Sequence, residues 1–312
     1  MAFYCPDGAM DQLLAGTLEH LEAEGRPGLR DQVSISWLRY DSSLLNAASG
    51  SQGGDPFWGR RVEGASWNAE QPRYPASVVK LLYLVAAEAW LQRQLIEDSA
   101  ELQRALAAMI QESSNDATAM VVDLLSGTSS GPELPAPALA LWLQQRQLVN
   151  QWFAGLDWPE WEGCNASQKT WGEGPFGRER QSYGDRGQHR NRLSTALCAR
   201  LLQAVIAGAI VSPPACRRMQ ALLARSLDAG ERAADPENQV DGFLGEGLPP
   251  QARLWSKAGW MSQARHDAAY VELPGHRPFL LVAFSEGSER AQDAELLPQL
   301  CRRLAMACQQ HD

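Results

Sequence analysis

Apolar positions recur at two different periods along this chain, and the two are segregated. Leu13, Leu14, Leu18 and Leu21 share one face of a helix that Gly25 and Pro27 stop. Val33, Ile35 and Trp37 then alternate with Ser34 and Ser36, the two-residue period of a half-buried edge strand. The Gly- and Ser-rich stretch 48–54 predicts a loop, and 60–65 a short second strand. From 78 to 227 the period is helical, in runs over 78–95, 99–111, 116–126, 138–154, 194–208 and 213–227, with Ser212-Pro213 as an N-cap followed by proline. The strand period returns over 253–260, 268–273 and 279–285, with a turn at 274–278. Leu296, Leu300, Leu304 and Ala307 then stripe a closing helix.

Strands at both ends and helices in the middle imply an α/β (α+β sandwich) fold. One antiparallel sheet is built from both termini with flanking helices, and an all-helical domain is inserted between them. The strand pattern assigns 1–70 and 250–312 to the sheet domain and 71–249 to the helical one, with the cleft between them as the natural site. No internal repeat is evident. Segment 156–192 is too long and irregular for a plain connector. It holds Trp158, Trp161 and Trp171 among glycines, and Arg178, Arg180, Arg186, Arg190 and Arg192 against Glu179 and Asp185. A functional loop, an ordered cover over the cleft and a solvated surface loop all remain open for it.

Composition narrows the partners. The chain has 312 residues, 45% hydrophobic and 21% charged, with a formal net charge of −9. Such a field repels polyanions, which disfavours nucleic acid despite the arginines and tryptophans of 156–192. No apolar run approaches the roughly 18 residues of a membrane span. Asp7, Asp11, Glu19 and Glu22 interrupt any signal-peptide pattern, so a cytoplasmic location is expected, or a periplasmic one if a native precursor was longer. Cys5, Cys164, Cys198, Cys216, Cys301 and Cys308 form no C-x-x-C and have no zinc-type histidine spacing, so free and mostly buried thiols are expected and no metal or cofactor is implied. Of the histidines (His20, His189, His266, His276, His311), His266 with Asp267 reads as a strand-entry pair.

Lysine is scarce: Lys80, Lys169 and Lys257 stand against 25 arginines. Ser77-Val78-Val79-Lys80 opens a strongly apolar helix, and a spacing of three puts amine and hydroxyl on one face, where an uncharged amine can take the serine proton. Ser113-Ser114-Asn115 falls at a helix junction, where an N-cap cluster is the plain alternative; Ser66-Trp67-Asn68 repeats the pattern elsewhere. Lys257-Ala258-Gly259 lies on a strand. Gly127-Thr128-Ser129-Ser130-Gly131 matches G-x-S-x-G but follows a helix instead of a strand, the wrong context for a nucleophile elbow.

Ser-x-x-Lys, Ser-x-Asn and Lys-x-Gly in this order resemble the motif set of class A β-lactamases and penicillin-binding proteins, from about Val33 to the C-terminus. The resemblance implies a serine hydrolase that forms an acyl-enzyme on Ser77 from a small amide, ester or peptide, without a cofactor. Lys80 would be its base, Ser113 a proton relay, Asn115 and Gly259 substrate-binding residues, and Lys257 a positive charge that also lowers the pKa of Lys80. The backbone N–H groups of Ser77 and Trp260 would form the oxyanion hole. Ala258 stands where the family commonly has Thr or Ser, leaving Arg265 as the candidate for holding a substrate carboxylate. The Ser77–Ser113 interval is short for class A. Glu160 and Glu162 are the loop carboxylates available for deacylation, neither in the family's register. The alternatives are a D-alanyl-D-alanine peptidase-like enzyme and a non-catalytic sensor that keeps the pocket.

Overall fold

The computed structural model describes residues 3–47, 57–58 and 60–309. The loop expected at 48–54, and His311, lie outside the described residues. Among the described residues seven strands, β1 (Cys5–Pro6), β2 (Val33–Arg39), β3 (Glu63–Trp67), β4 (Ala224–Arg225), β5 (Arg253–Met261), β6 (Ala264–Glu272) and β7 (Phe279–Glu286), form one sheet in the order β1-β3-β2-β7-β6-β5-β4. All neighbours pair antiparallel except β1 with β3. The alternating ends of the chain thus build the sheet, as their period requires.

By compactness the chain divides into residues 1–78 with 194–312, and residues 79–193. In the first unit, one face of the sheet packs Ile35, Trp37, Ala269, Leu281 and Ala283 against the helices Gly8–Ala23 and Leu296–Met306. Leu14, Leu18 and Leu21 of the first helix and Leu296, Leu300 and Leu304 of the last are buried there. The helix Thr195–Ala207 contacts β2, β6 and β7, and Pro213–Leu223 packs on it and on β5. These two helices therefore group with the sheet, whereas helical period alone carries the boundary to 249/250. Ser212 caps the second through its Oγ, which accepts from Ala215 N.

Strand β2 is not an edge. It lies between β3 and β7, and its residues from Val33 to Leu38 are buried on both faces. Ser34 and Ser36 imitate a solvent face, but their hydroxyls are consumed internally. Ser36 Oγ donates to Thr195 Oγ1 at 3.1 Å, and Arg73 Nε donates to Ser34 Oγ at 2.8 Å. Paired hydroxyls can be buried beneath a helix at little net cost.

The second unit is built around Lys80–Gln92, whose residues from Lys80 to Trp90 are buried. Against it pack Ala100–Gln111, Asn115–Ser126 and Leu148–Ala154. The helical run expected over 138–154 is two helices, Ala136–Arg146 and Leu148–Ala154; Gln147 N bonds Gln144 O, three residues back, tightening and ending the first. Among the described residues no helix is long and apolar enough to cross a membrane.

Leu14→Ala should cost about 2–5 kcal/mol in urea unfolding, because it empties a filled site. Leu13, on the same helix, is 40% exposed. Leu13→Ala should shift the same curve by less than about 0.5 kcal/mol, and equal effects would contradict the orientation of this helix.

Candidate active site

The segment leading to Ser77 is fastened before the motif begins. Arg73 spends its guanidinium on Ser34 Oγ, on the Asp31 and Val33 carbonyls and on Glu286 Oε2 at 2.6 Å. One residue on, the Tyr74 carbonyl meets His266 Nε2 at 2.8 Å, while Ser285 N–H donates to His266 Nδ1 at 3.0 Å. An N–H donor on Nδ1 leaves the proton on Nε2, so the ring donates to Tyr74 as a neutral imidazole. Burial holds it there, lowering its pKa to about 4. His266 is thus a clamp inside the sheet and not a strand-entry residue; Asp267 beside it is equally buried, its carboxyl raised to about 7 chiefly by desolvation.

Ala76 then takes a left-handed φ of 46°, a strained conformation for a residue with a Cβ, and Ala76–Val79 forms a single 3-10 turn that runs into the helix Lys80–Gln92. Gly259 of β5 faces this turn. A Cβ added at Gly259 would lie 2.8 Å from Ser77 N and 3.0 Å from both Pro75 O and Val78 N, so only glycine lets the strand approach the Ser77 backbone.

Lys257 lies in the same cross-sheet row as Ala268, Val282 and Ser36, and is fully buried. Its Nζ donates to Gln239 Oε1 and to Ala258 O. Trp260, by contrast, is 55% exposed, with its indole N–H on Ala291 O at 2.9 Å. Arg265 lies over the ring of Phe243, 5.1 Å from its centroid, and commits Nε to Ala291 O and Nη1 to Gly242 O. Part of the fork proposed for a substrate carboxylate is therefore already engaged.

In the second unit Lys80 is 0% exposed. Its Nζ donates to Ser113 O, to Ser113 Oγ at 3.1 Å and to Asn115 Oδ1 at 3.0 Å. The N-cap alternative for Ser113-Ser114-Asn115 resolves within the triplet. Ser114 Oγ caps Asn115–Ser126 by accepting from Ala117 N, while Ser113, at a left-handed φ of 57°, and Asn115 turn to the lysine. The pKa of Lys80 falls to about 7, and burial is the cause. The lowering is as expected, but it comes from desolvation and not from the Lys257 ammonium.

In the loop 156–192, residues 166–170, Glu179, Ser182 and Asn191 are buried and the rest is exposed or partly so, which makes it a loop anchored from within with a solvated outer face. Asn165 and Arg192 pair as an antiparallel bridge, and Asn191 Oδ1 receives the N–H groups of Ser167 and Gln168. Beneath it lies a buried charge cluster: Arg146 pairs with Glu179 at 2.5 Å, and Lys169 with Asp123 at 2.7 Å and Glu179 at 3.5 Å. Ser130 of the G-x-S-x-G match serves this cluster, receiving Lys169 Nζ and donating to Glu179. The loop residue on Asn115 is Thr170, whose hydroxyl donates to Asn115 Oδ1 at 2.7 Å. Glu160 sits half-buried in the turn Pro159–Trp161, and Glu162 is exposed. Nothing in the sequence singles out Thr170 or Arg73, and His266 reads there only as strand entry, since no spacing marks a residue that acts through a partner distant in the chain. The other Ser-x-Asn match is structural: Asn68 Nδ2 donates to the Arg30 and Val33 carbonyls. None of the six cysteines forms a disulfide; four are buried, Cys5 is exposed and Cys164 partly so.

A family model described as "Beta-lactamase enzyme family" matches residues 91–311, beginning downstream of Ser77 and Lys80. No curated protein sequence matches the chain. Among solved structures, a beta-lactamase from Sphaerobacter thermophilus DSM 20745 is 16% identical with a TM-score of 0.63, covering 95% of this chain and 97% of that one. PBP-A is 16% identical at 0.60, covering 97% of each chain. The TLA-1 extended spectrum beta-lactamase is 12% identical at 0.64, over 95% and 98%. These likenesses establish the fold.

Two predictions follow the geometry. Gly259→Ala should displace the turn bearing Ser77 and lower both thermal stability and any reaction at that serine; a variant matching wild type in both would show that the close approach is not needed. For Lys80 the folded pKa is depressed to about 7 from an ordinary 10.5. Between those values the unfolded chain binds more protons, so the group's destabilising effect is full below pH 7 and fades as pH rises toward 10.5. The stability of Lys80→Met relative to wild type should therefore move in the wild type's favour as pH climbs from 7 to 10. A difference flat in pH would mean that Lys80 keeps an ordinary pKa.

Proposed function

Because the chain belongs to the beta-lactamase enzyme family, we propose that it is a serine acyl hydrolase acting on a small amide or ester through an acyl-enzyme at Ser77. The observation that carries this reading is the buried amine of Lys80, three residues after Ser77 and with its pKa brought to about 7. At neutral pH a large fraction is uncharged and can serve as a base.

In the proposed reaction Ser77 Oγ bonds to the substrate carbonyl carbon as its proton passes to Lys80 Nζ. The carbonyl oxygen takes the negative charge and is held by the backbone N–H groups of Ser77 and Trp260. The carbon–nitrogen or carbon–oxygen bond then breaks, and Ser113 Oγ, which accepts from Lys80 Nζ at 3.1 Å, passes that proton to the leaving group. Asn115 Nδ2 is assigned to a substrate carbonyl, and Lys257 supplies fixed positive charge. Water later releases the acyl group.

One contact favours slow release and a penicillin-binding, peptidase-like character over efficient β-lactam hydrolysis. The loop residue on Asn115 is Thr170, and a hydroxyl does not activate water as a carboxylate does. Glu160 and Glu162 are the loop carboxylates to test. Glu160→Gln and Glu162→Gln should each leave the adduct lifetime unchanged if neither is the base.

Incubation with labelled penicillin and with a fluorophosphonate, followed by peptide mass mapping, should place an adduct on the peptide containing Ser77. Lys80→Ala should slow its formation by about 10²–10⁴-fold. Labelling by fluorophosphonate alone would point to a different acyl substrate. No adduct from either reagent on folded protein would favour the binding or sensor alternative.

A further inference from the structure

Among the described residues the outer edge of β5 carries no strand beyond Trp255, because β4 pairs only with Leu254 and Trp255. Ala258 turns its backbone toward that edge: its N–H donates to Gln239 Oε1 at 3.3 Å and its carbonyl receives Lys257 Nζ. Backbone orientation repeats every second residue along a strand, so Trp260 N–H points to the same edge. Side chains alternate as well. Gly259 faces the turn that bears Ser77, which puts the Trp260 ring on the other side of the strand. A ligand lying along this edge therefore has Ser77 on one flank and the indole of Trp260 on the other.

That ring is anchored, yet 55% exposed. Its N–H donates to Ala291 O at 2.9 Å, and Arg265 Nε donates to the same carbonyl at 3.0 Å, so ring and guanidinium are fixed side by side. Arg265 Cζ lies 5.8 Å from the Trp260 centroid and 5.1 Å from that of Phe243, a buried ring that backs it. Arg265 Nη1 donates to Gly242 O, and a Cβ at Gly242 would lie 2.7 Å from that nitrogen, so the glycine admits the guanidinium. Three of the five N–H hydrogens of Arg265 are left without an acceptor among the described residues, and it makes no ion pair there. The acids that face it have other partners. Asp293 accepts from Arg26 Nε at 2.7 Å, and Glu246 from Gly242 N at 2.5 Å.

A fixed, uncovered aromatic face beside an unpaired guanidinium recognises two groups at once, a planar apolar one and a carboxylate. We propose that the Trp260 indole is a specificity-determining surface: it selects substrates with an aryl group close to a carboxylate, the aryl group stacking on the indole and the carboxylate taken by Arg265. The substrate class rests on the serine acyl-hydrolase reading, but the shelf of ring and guanidinium involves neither Lys80 nor acylation.

Three unreactive probes separate its two halves: 3-phenylpropionate, propionate and 3-phenylpropan-1-ol. The chain has 11 tryptophans, and Trp260→Phe identifies the Trp260 indole N–H signal in nitrogen-15 spectra. 3-Phenylpropionate should move that signal and bind about tenfold more tightly than either other probe. Trp260→Leu should erase the preference over propionate, of which Trp260→Phe should keep a part. Arg265→Met should erase the preference over the alcohol. Each is a ratio within one folded protein, so a loss of stability alone does not move it. 3-Phenylpropionate should also slow the fluorophosphonate labelling of Ser77 by competition.

Equal affinities for the three probes, or a Trp260 signal unmoved by 3-phenylpropionate, would overturn the proposal. So would binding at Trp260 that leaves the labelling rate of Ser77 unchanged. If Arg265→Met does not fold, the comparison with the alcohol in the unaltered protein judges the guanidinium. Absence of labelling in wild type would sink the hydrolase reading alone, because the probe affinities still judge the shelf.

Discussion

A lysine buried without a charged hydrogen-bond partner is the constraint on which the site depends. Lys80 opens a strongly apolar helix and, among the described residues, donates to a carbonyl, a hydroxyl and an amide oxygen. An isolated ammonium in such surroundings is expensive, so the group relieves the cost by giving up its proton near neutral pH. The lowered pKa at this position therefore comes from desolvation. Like-charge repulsion from the second motif lysine is not required, and Lys257 has its own acceptors in Gln239 and Ala258 O.

Unusual backbone also marks the segments of the two motif serines. Ser113 and Ala76 both adopt left-handed φ without being glycine. Each such residue costs of order 1–3 kcal/mol and persists where its surroundings over-determine it. At Ala76 the surroundings are the Arg73 fan, the His266 clamp on Tyr74 and the close approach of Gly259. At Ser113 they are the Ser114 cap on one side and Lys80 on the other. Two of the seven non-glycine residues with left-handed φ among the described residues thus lie on the segments that carry the motif serines, and rigid structure next to each holds it.

The fold was legible in the sequence because period and burial agree over most of the chain. They part where a polar residue is buried by pairing. Ser34 and Ser36 alternate like a solvent face, yet Thr195 and Arg73, distant in the chain, satisfy them and leave β2 inside the sheet. The same reason hid part of the site. Ser77, Lys80 and Lys257 announce themselves by type and spacing in a lysine-poor chain, whereas His266 and Thr170 are ordinary until their partners are known. Ser114 shows the converse. One triplet holds both a helix cap and two lysine ligands, so the capping and catalytic interpretations of Ser113-Ser114-Asn115 do not compete.

The buried charges of the loop make the same point about division of labour. Arg146, Lys169, Asp123 and Glu179 hold residues 166–170 in place, and charge pairs of this kind gain little net stability over apolar packing but strongly penalise misplacement of either partner. Their effect is to specify one position for Thr170 relative to Asn115. A loop held only by apolar contacts could slide by a residue and still bury a similar area. With Lys169 fixed on Asp123 and Glu179, a one-residue slip would leave an unpaired charge in the interior, so electrostatics at Lys169 set the register of the neighbouring Thr170 hydroxyl.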